Sequence, residues 1–329
     1  MMKEIKVIPG RYLVTGAAGQ MGTFALMRLR NLPNIYVRAV YHKKKPNIFA
    51  DNISYLQADL RNPDDCKKIV DDIDYVLMFA GILSTAPVMA KNPVSHITEN
   101  MIMNAQMLEA SYFAGVRKFL WLSSTTGYPM LDKDLTEEDM FYGDPPDTYF
   151  SVGWMSRYTE ILCRMYATKL KNPITVIILR PTTIYSEYES FNFETAHVLP
   201  ATVRKVVERQ SPIEIWGTGD NRRDFIYADD VLDACLLALK RVNGFDVFNI
   251  SYGKDYSVNE ILKIILELDD YMDAQIVYNT SKPSAINSRD INCIKAEKFL
   301  GFKAKTTIKE GIHRMISWYK KNPINDEKI

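Results

Sequence analysis

The chain of 329 residues carries 41 basic and 40 acidic side chains, for a formal net charge of +1, and 47% of its residues are hydrophobic. This size and composition predict a globular protein with one large domain and a smaller lobe. Such an even charge balance excludes a general electrostatic attraction to nucleic acid or to membrane surfaces, so neither is predicted as a partner.

The chain contains four cysteines, Cys66, Cys163, Cys235 and Cys293. Their spacing matches neither a CxxC motif nor a metal-ligand set, which favours free thiols in a reducing compartment over disulfides or a zinc site. The N-terminus lacks the long apolar segment of a secretory signal, and no apolar run reaches membrane-spanning length. We therefore expect a cytoplasmic protein without a bound metal.

The first predicted strand runs directly into a glycine-rich turn. Residues 13–22 read LVTGAAGQMG, in which glycines separate an apolar strand from a helical pattern. Glycines let the backbone approach a pyrophosphate, and the N–H groups at a helix N-terminus face its negative charge. Turns also collect glycine for conformational reasons alone, but this order favours a dinucleotide, NAD or NADP. The predicted contacts in this loop are Gly16, Ala18, Gly19, Gln20, Met21 and Gly22.

Strand-like and helical segments alternate along the first 180 residues. Strands are predicted at 12–15, 36–41, 54–57, 75–79, 118–122 and 175–179, and helices at 23–32, 100–113 and 154–171. The alternation predicts βαβ units, and therefore an α/β fold with a doubly wound parallel sheet of the Rossmann type.

The end of the second predicted strand bears on the choice of coenzyme. An acidic side chain there accepts the ribose 2′-hydroxyl of NAD, whereas a basic one favours the 2′-phosphate of NADP. The chain reads YHKKK at 41–45, without a carboxylate. This favours NADP through His42 and Lys43, and the alternative is a solvated basic turn with NAD held by other contacts.

The pattern changes beyond residue 180. Predicted elements are helices at about 202–208, 229–240, 258–268, 296–300 and 308–318 and a strand at 213–216. They predict a smaller mixed α/β lobe over the C-terminal edge of the sheet, with a ligand crevice between the two. We predict a dinucleotide-binding domain over 1–180, with segments returning from about 215–250, and a substrate lobe over 181–329.

Several short motifs follow one another along the chain. They are Asp59-Leu60-Arg61, Phe79-Ala80-Gly81, Ser123-Ser124 before Tyr128, Arg180-Pro181, GTG at 217–219, RRDF at 222–225 and Arg289 before LGF at 300–302. With the glycine loop, they make nearly the whole chain resemble the extended short-chain dehydrogenase/reductases that modify nucleotide sugars, the NAD-dependent epimerase/dehydratase family. Within it, Tyr128-Pro129 and HVLP at 197–200 are most similar to the GDP-fucose synthases.

The resemblance implies roles for individual residues. Ser124 would hydrogen-bond the sugar oxygen that gains or loses a hydride. Thr126 stands where the GDP-fucose synthases carry a cysteine acid/base, and threonine does not ionise near neutral pH. His197 matches their histidine partner, with a merely structural histidine as the alternative. The further coenzyme contacts that the resemblance implies are Asp59, Leu60, Phe79, Ala80, Gly81, Asn100, Ser123 and Pro181.

The chain departs from the family at its YxxxK motif. Alignment on Glu160, Cys163 and Tyr166 puts Val152 at the tyrosine position and Ser156 at the lysine position, and neither side chain can exchange a proton with a sugar hydroxyl. One helical turn earlier, Tyr149 is a candidate substitute, although no lysine follows it by four residues.

Two arginines resemble those that hold the diphosphate of a nucleotide sugar. Arg223 and Arg289 suit this task because a guanidinium pairs bidentately with phosphate oxygens, and surface salt bridges are the alternative. The resemblance also implies a homodimer through helices at 100–113 and 154–171. The apolar stripe of the second helix could equally be internal core.

Two functional hypotheses follow. The first is an NAD(P)-dependent oxidoreductase acting at C4 of a nucleotide-linked sugar, with GDP-sugars favoured and with epimerase or dehydratase activity as variants. The second is a catalytically degenerate protein that binds a nucleotide sugar or NAD(P) and regulates or partners another enzyme.

Overall fold

The computed structural model describes residues 5–82, 94–282 and 289–324. A seven-stranded sheet forms its centre, with every neighbouring pair parallel. Its strands are β1 (Gly10–Val14), β2 (Ile35–Tyr41), β3 (Ile53–Gln57), β4 (Tyr75–Met78), β5 (Lys118–Leu122), β6 (Thr175–Pro181) and β10 (Phe245–Ile250). The spatial order β10-β6-β5-β4-β1-β2-β3 reverses between β1 and β4, the point where ligands bind in such sheets. The predicted fold class is confirmed.

Helices cover both faces of this sheet. They are α1 (Gln20–Leu29), α2 (Pro63–Val70), α3 (Ser95–Phe113), α4 (Phe150–Thr168) and α6 (Ala228–Arg241). Successive side chains of β1 point to opposite faces of the sheet, so they pack in two different parts of the core. Tyr12 and Val14 pack with α1 and α6, whereas Leu13 packs with α2, α3 and α4.

A smaller set of elements follows β6 and lies beside the carboxyl edge of the sheet. A three-stranded sheet has the order β11-β9-β7, with β7 Thr183–Tyr185, β9 Arg222–Tyr227 and β11 Asp255–Ser257, and a two-stranded sheet pairs β8 (Ile213–Trp216) with β12 (Ile276–Asn279). The helices of this part are α5 (Val198–Val207), α7 (Val258–Leu268) and α8 (Ile308–Lys321), with a five-residue π-helix at Ala296–Leu300.

The structure differs from the predicted elements at helix ends and in several elements that were not predicted. The helix after the glycine loop begins at Gln20 and ends at Leu29, three residues earlier than predicted, because Asn31 adopts a left-handed backbone with φ 57° and stops it before Pro33. Helix α2 and the strands β7, β9, β10, β11 and β12 lie outside the predicted elements. Asn62 caps α2 by accepting a hydrogen bond from the Asp64 amide.

Within the described ranges, no helix combines the length and apolar composition that crossing a bilayer requires.

Candidate functional site

The glycine loop after β1 is a tight cradle that tolerates no side chain at two positions. Gly16 has φ +61°, and a Cβ there would lie 2.9 Å from the backbone of both Phe79 and Ala80. A Cβ on Gly22 would lie 2.3 Å from the Gly16 carbonyl oxygen. The loop therefore presses against α1 and against the chain after β4, and leaves a bare backbone at the N-terminus of α1. This geometry fits a dinucleotide pyrophosphate.

One side chain joins this loop to the loop after β4. The Thr15 hydroxyl oxygen accepts hydrogen bonds from the amides of Phe79 and Ala80, each at 3.0 Å. The Asn100 side chain then accepts from the Ile82 amide at 2.8 Å and donates to the Ile82 carbonyl at 2.9 Å. These bonds bring the 79–81 motif and Asn100 to the edge of the sheet that carries Gly16.

The remaining loop residues are held by neighbouring elements. The Gln20 carboxamide donates a 2.9 Å hydrogen bond to the Ser186 hydroxyl, which ties the start of α1 to the chain after β7. Met21 and Pro181 are buried, while Ala18 is half-buried and Gly19 is exposed.

The chain after β3 presents a charged cluster near the end of β2. Asp59 accepts hydrogen bonds from Arg61 Nη2 at 2.6 Å and Nε at 2.9 Å, and these bonds lower the pKa of the Asp59 carboxyl to about 2. His42 Nε2 lies 3.8 Å from the same carboxylate. Leu60 is buried, whereas His42 and Lys43 are exposed, so the end of β2 carries two exposed basic side chains.

Two adjacent serines after β5 have different surroundings. The Ser123 hydroxyl is buried and donates a 2.6 Å hydrogen bond to Glu160 Oε1. The Ser124 hydroxyl oxygen accepts from the Thr126 amide at 3.1 Å and from the Thr126 hydroxyl at 2.9 Å. Ser124 is half-buried, and it begins the 3-10 turn Thr125–Gly127.

A buried ionic network lies beneath these serines. Arg180 pairs with both carboxylate oxygens of Glu160, at 2.9 Å and 2.5 Å, and donates to the Tyr128 hydroxyl at 2.7 Å. That hydroxyl donates to Asn249 Oδ1 at 2.6 Å. The network fixes the loop that carries Ser124 against β6 and β10. The sequence signal for this network was the charged residue Arg180 near the end of the apolar strand 175–181.

The positions aligned with YxxxK lie at the start of α4. Val152 is half-buried and Ser156 is only 2% exposed. Beside them, the buried Arg157 donates through Nε to the Gly127 carbonyl at 2.8 Å, and its guanidinium lies 4.8 Å from the Trp154 ring centroid. Its Nη2 has no hydrogen-bond partner among the described residues. Arg157 thus supports the loop after β5. Tyr149 occupies the N-cap position of α4, where its side chain makes no capping hydrogen bond, and it is half-buried.

The Arg289 guanidinium interacts electrostatically with Tyr149 and with Arg223. Arg289 donates through Nη1 to the Tyr128 carbonyl. Burial lowers the pKa of the Arg289 guanidinium to about 10, the neighbouring Tyr149 opposes that shift, and the charge of Arg223 adds to it. Arg223 is half-buried on β9. An anion between the two arginines would relieve their repulsion.

His197 lies at the N-terminus of α5 and pairs with a carboxylate. Its Nδ1 contacts Glu189 Oε1, and this hydrogen bond raises the pKa of the imidazole. Metal binding has no comparable support, since no group of three or more His, Cys, Asp or Glu in the described ranges could hold an ion.

Comparison with known proteins identifies the family. The model of the NAD dependent epimerase/dehydratase family matches residues 12–251. Probable GDP-L-fucose synthase 1 of Oryza sativa subsp. japonica is 24% identical over 97% of this chain and 94% of its own. GDP-L-colitose synthase of Yersinia pseudotuberculosis is 27% identical over 77% of this chain and 83% of its own.

A solved structure shares the fold of this chain. MoeE5, determined with UDP-glucose and NAD, superposes with a TM-score of 0.82 at 26% identity and covers 95% of this chain and 99% of its own. The predicted coenzyme class, NAD or NADP, agrees with the family description and with the glycine cradle. Because the family model spans well over half of the sequence, this chain belongs to the NAD dependent epimerase/dehydratase family of extended short-chain dehydrogenase/reductases.

Proposed function

We propose that this protein is an NAD(P)-dependent oxidoreductase that acts at C4 of a nucleotide-linked sugar, as a dehydrogenase or a reductase. Epimerisation or dehydration at that carbon is a variant of the same chemistry. The observation that carries the proposal is the loop 124–128. At one end it presents Ser124 at the sheet edge that holds the glycine cradle, and at the other its Tyr128 carbonyl anchors Arg289.

Each part of the site has a proposed task. The coenzyme, when bound, supplies or accepts the hydride. The bare backbone at Gly16 and Gly22 admits its pyrophosphate. Ser124 hydrogen-bonds the reacting sugar oxygen, and Arg223 and Arg289 hold the diphosphate bidentately. The other proposed coenzyme contacts are Ala18, Gly19, Gln20, Met21, His42, Lys43, Asp59, Leu60, Phe79, Ala80, Gly81, Asn100, Ser123 and Pro181.

We propose that the residue that transfers the proton is not at the tyrosine position of the family's YxxxK motif. Val152 and Ser156 carry no acid or base, and the loss of such a group costs on the order of 10² to 10⁴ in rate. We propose that Tyr149 takes this role, supported by its place at the N-terminus of α4 near Arg289. Thr126 and His197 complete the proposed site.

Cofactor and substrate preferences follow from the basic end of β2 and from the relatives. His42 and Lys43 are exposed while Asp59 is engaged by Arg61, which supports NADP over NAD. Comparing the dissociation constants of NADPH and NADH tests this preference. The names of the two curated relatives both refer to GDP-sugars, which supports a GDP-sugar as substrate.

The organisation of the chain is proposed on the same basis. Residues 1–180, with segments returning from about 215–250, bind the coenzyme, and residues 181–329 bind the nucleotide sugar. We further propose a homodimer through α3 and α4, which expose Ile102, Phe113, Tyr158 and Ile161.

A cytoplasmic location stays a prediction from the free cysteines.

The proposed reaction is tested with a panel of GDP-, UDP-, CDP- and dTDP-sugars, each offered with oxidised or reduced coenzyme. We expect a GDP-sugar to change the absorbance of the reduced nicotinamide and to yield a product two hydrogens heavier or lighter. The proposal is contradicted if at least one of these sugars binds at the site and none of them is converted to a product.

Val152 and Ser156 favour one alternative, a protein that binds the ligands without turnover and regulates or partners another enzyme. Replacing both residues, Val152→Tyr with Ser156→Lys, separates the two proposals. A binding protein would gain activity only in the double variant, whereas ordinary turnover by the native protein would exclude this alternative.

A further inference from the structure

The side chain of Asn249 connects three separate segments of the chain. Asn249 lies in β10 and is fully buried. Its Oδ1 accepts a 2.6 Å hydrogen bond from the Tyr128 hydroxyl, and its Nδ2 donates to the carbonyls of Leu135 and Asn292, each at 3.1 Å. Both N–H donors of the carboxamide are thus used, which fixes the orientation of the side chain.

Two of these contacts hold the segment that follows Arg289. The Leu135 amide donates to the Asp290 carbonyl at 2.8 Å, and the Asn292 amide donates to the Leu135 carbonyl at 2.9 Å, so the two segments form a parallel bridge. The Asn249 carboxamide bonds to one carbonyl in each segment. It therefore anchors the bridge to β10, an edge strand of the seven-stranded sheet.

The side chain of Arg289 is held by the same set of residues. Its Nη1 donates to the Tyr128 carbonyl, and the hydroxyl of that tyrosine donates to Asn249. The contacts close a ring, because Asn249 also holds the backbone three residues after Arg289. Loss of the carboxamide would therefore loosen both the backbone and the guanidinium of Arg289.

We propose that Asn249 is a positioning residue that orients the Arg289 guanidinium for the diphosphate of the nucleotide sugar. Asn249 is fully buried, so it acts through Arg289 and does not touch the ligand. A guanidinium pairs with phosphate oxygens through two parallel hydrogen bonds, and this pairing depends on its orientation. The inference rests on the proposed function, because that function assigns the diphosphate to Arg289.

A double-mutant cycle on Asn249→Asp and Arg289→Gln tests the proposal, with GDP as the probe because it carries the diphosphate and no sugar. Asn249→Asp keeps the side-chain shape and an acceptor for Tyr128, but it replaces the amide donor with an oxygen. Calorimetry should show a GDP dissociation constant raised about tenfold, within the range for coupled residues of one network. In the Arg289→Gln background the same substitution should change that constant by less than about twofold, because the group that Asn249 orients is already gone.

Asn52 provides a matched control at the opposite edge of the sheet. Its carboxamide donates to the carbonyls of Leu29 and Ile35, at 3.0 Å each, and accepts from the Asn31 amide at 2.9 Å. Asn52→Asp should leave the GDP affinity unaltered, and Asn249→Asp should leave the NADPH affinity unaltered. If Asn249→Asp fails to fold, Asn249→Ser replaces it, since its smaller side chain leaves room for water between the carbonyls.

The outcomes separate this inference from the proposed function. An unchanged GDP affinity in Asn249→Asp, an equal loss in both backgrounds, an equal loss of NADPH affinity, or a comparable loss in Asn52→Asp overturns the positioning role and leaves the proposed function standing. If the wild type does not bind GDP, or if Arg289→Gln binds it as tightly as the wild type, the proposed role of Arg289 fails and this inference fails with it.

Discussion

At the scale of single residues, the strongest chemical feature is the pair of interacting guanidinium groups of Arg223 and Arg289. Replacing Arg289 with Gln should raise the dissociation constant of a GDP-sugar about 10- to 100-fold, the range for a lost charge-assisted hydrogen bond. Arg222→Gln is the matched control, since Arg222 is paired with Asp255 and Glu260, and it should change affinity much less. Equal losses in both variants would contradict a specific role of Arg289.

The pair formed by His197 and Glu189 gives the stability a predictable pH dependence. The pKa of His197 is raised when folded, so its stabilising contribution is full below the unfolded value of about 6.5 and is lost as the pH rises through the folded pKa. Glu189→Gln should therefore destabilise most near pH 6 and least near pH 9. Because His197 is 40% exposed, we expect about 1 kcal/mol or less.

Urea unfolding of wild type and variant across that pH range measures the difference. Glu194→Gln, at a neighbouring exposed glutamate, should leave the pH dependence as in wild type. A Glu189→Gln effect that does not change with pH would show that the imidazole is not charged by this contact.

At the scale of elements, the role of the glycine loop in coenzyme binding can be tested by comparing Gly16 with Gly115, a glycine elsewhere in the chain with a similar backbone conformation. Gly16 and Gly115 have φ of +61° and +69°, but a Cβ meets backbone atoms at 2.9 Å only in the first case and nothing within 4 Å in the second. Alanine at either position carries the left-handed penalty of roughly 1 to 2 kcal/mol. Only Gly16→Ala should also weaken NADPH binding, by tenfold or more.

Calorimetric titration with NADPH provides the comparison, and thermal unfolding of both variants confirms that they fold. Similar NADPH affinity in Gly16→Ala and Gly115→Ala would mean that the loop after β1 is not the coenzyme cradle.

Much of the element pattern was predictable because it is encoded locally. The strands at 118–122 and 213–216 and the helix at 258–268 match the structure residue for residue. Helix α4 begins at Phe150 rather than 154, since the 3-10 turn Asp147–Tyr149 leads into it. Short α2 and the returning β10 carry weak local signals.

The site was predictable only in part, because some of its contacts join distant parts of the chain. The glycine loop and Ser124 lie in local motifs. The pairing of Arg180 with Glu160 and the anchoring of Arg289 by Tyr128 span 20 and 161 positions, and no spacing rule reaches that far. The back-bonding of Thr126 to Ser124 is local, but hydroxyl orientation depends on the backbone turn.

At the scale of the whole molecule, an apolar surface on α3 and α4 predicts self-association. Ile102, Phe113, Tyr158 and Ile161 are 38%, 78%, 48% and 44% exposed, and two such helices from each subunit can form a four-helix bundle. Ile161→Glu should therefore convert a dimer into a monomer in sedimentation velocity. Phe49→Glu, at a residue 68% exposed elsewhere, should leave the dimer intact. A wild-type monomer would contradict the prediction.

The central claim concerns hydride transfer within this cleft, and isotope transfer tests it most directly. The protein is incubated with a GDP-hexose that carries a ketone at C4 and with NADPH that carries deuterium on the transferable position of its nicotinamide ring, and the sugar product is analysed by mass spectrometry and NMR. The account predicts a C4 hydroxyl product that carries one deuterium on C4. Recovery of unreduced ketone without deuterium, while calorimetry shows both ligands bound, would contradict it.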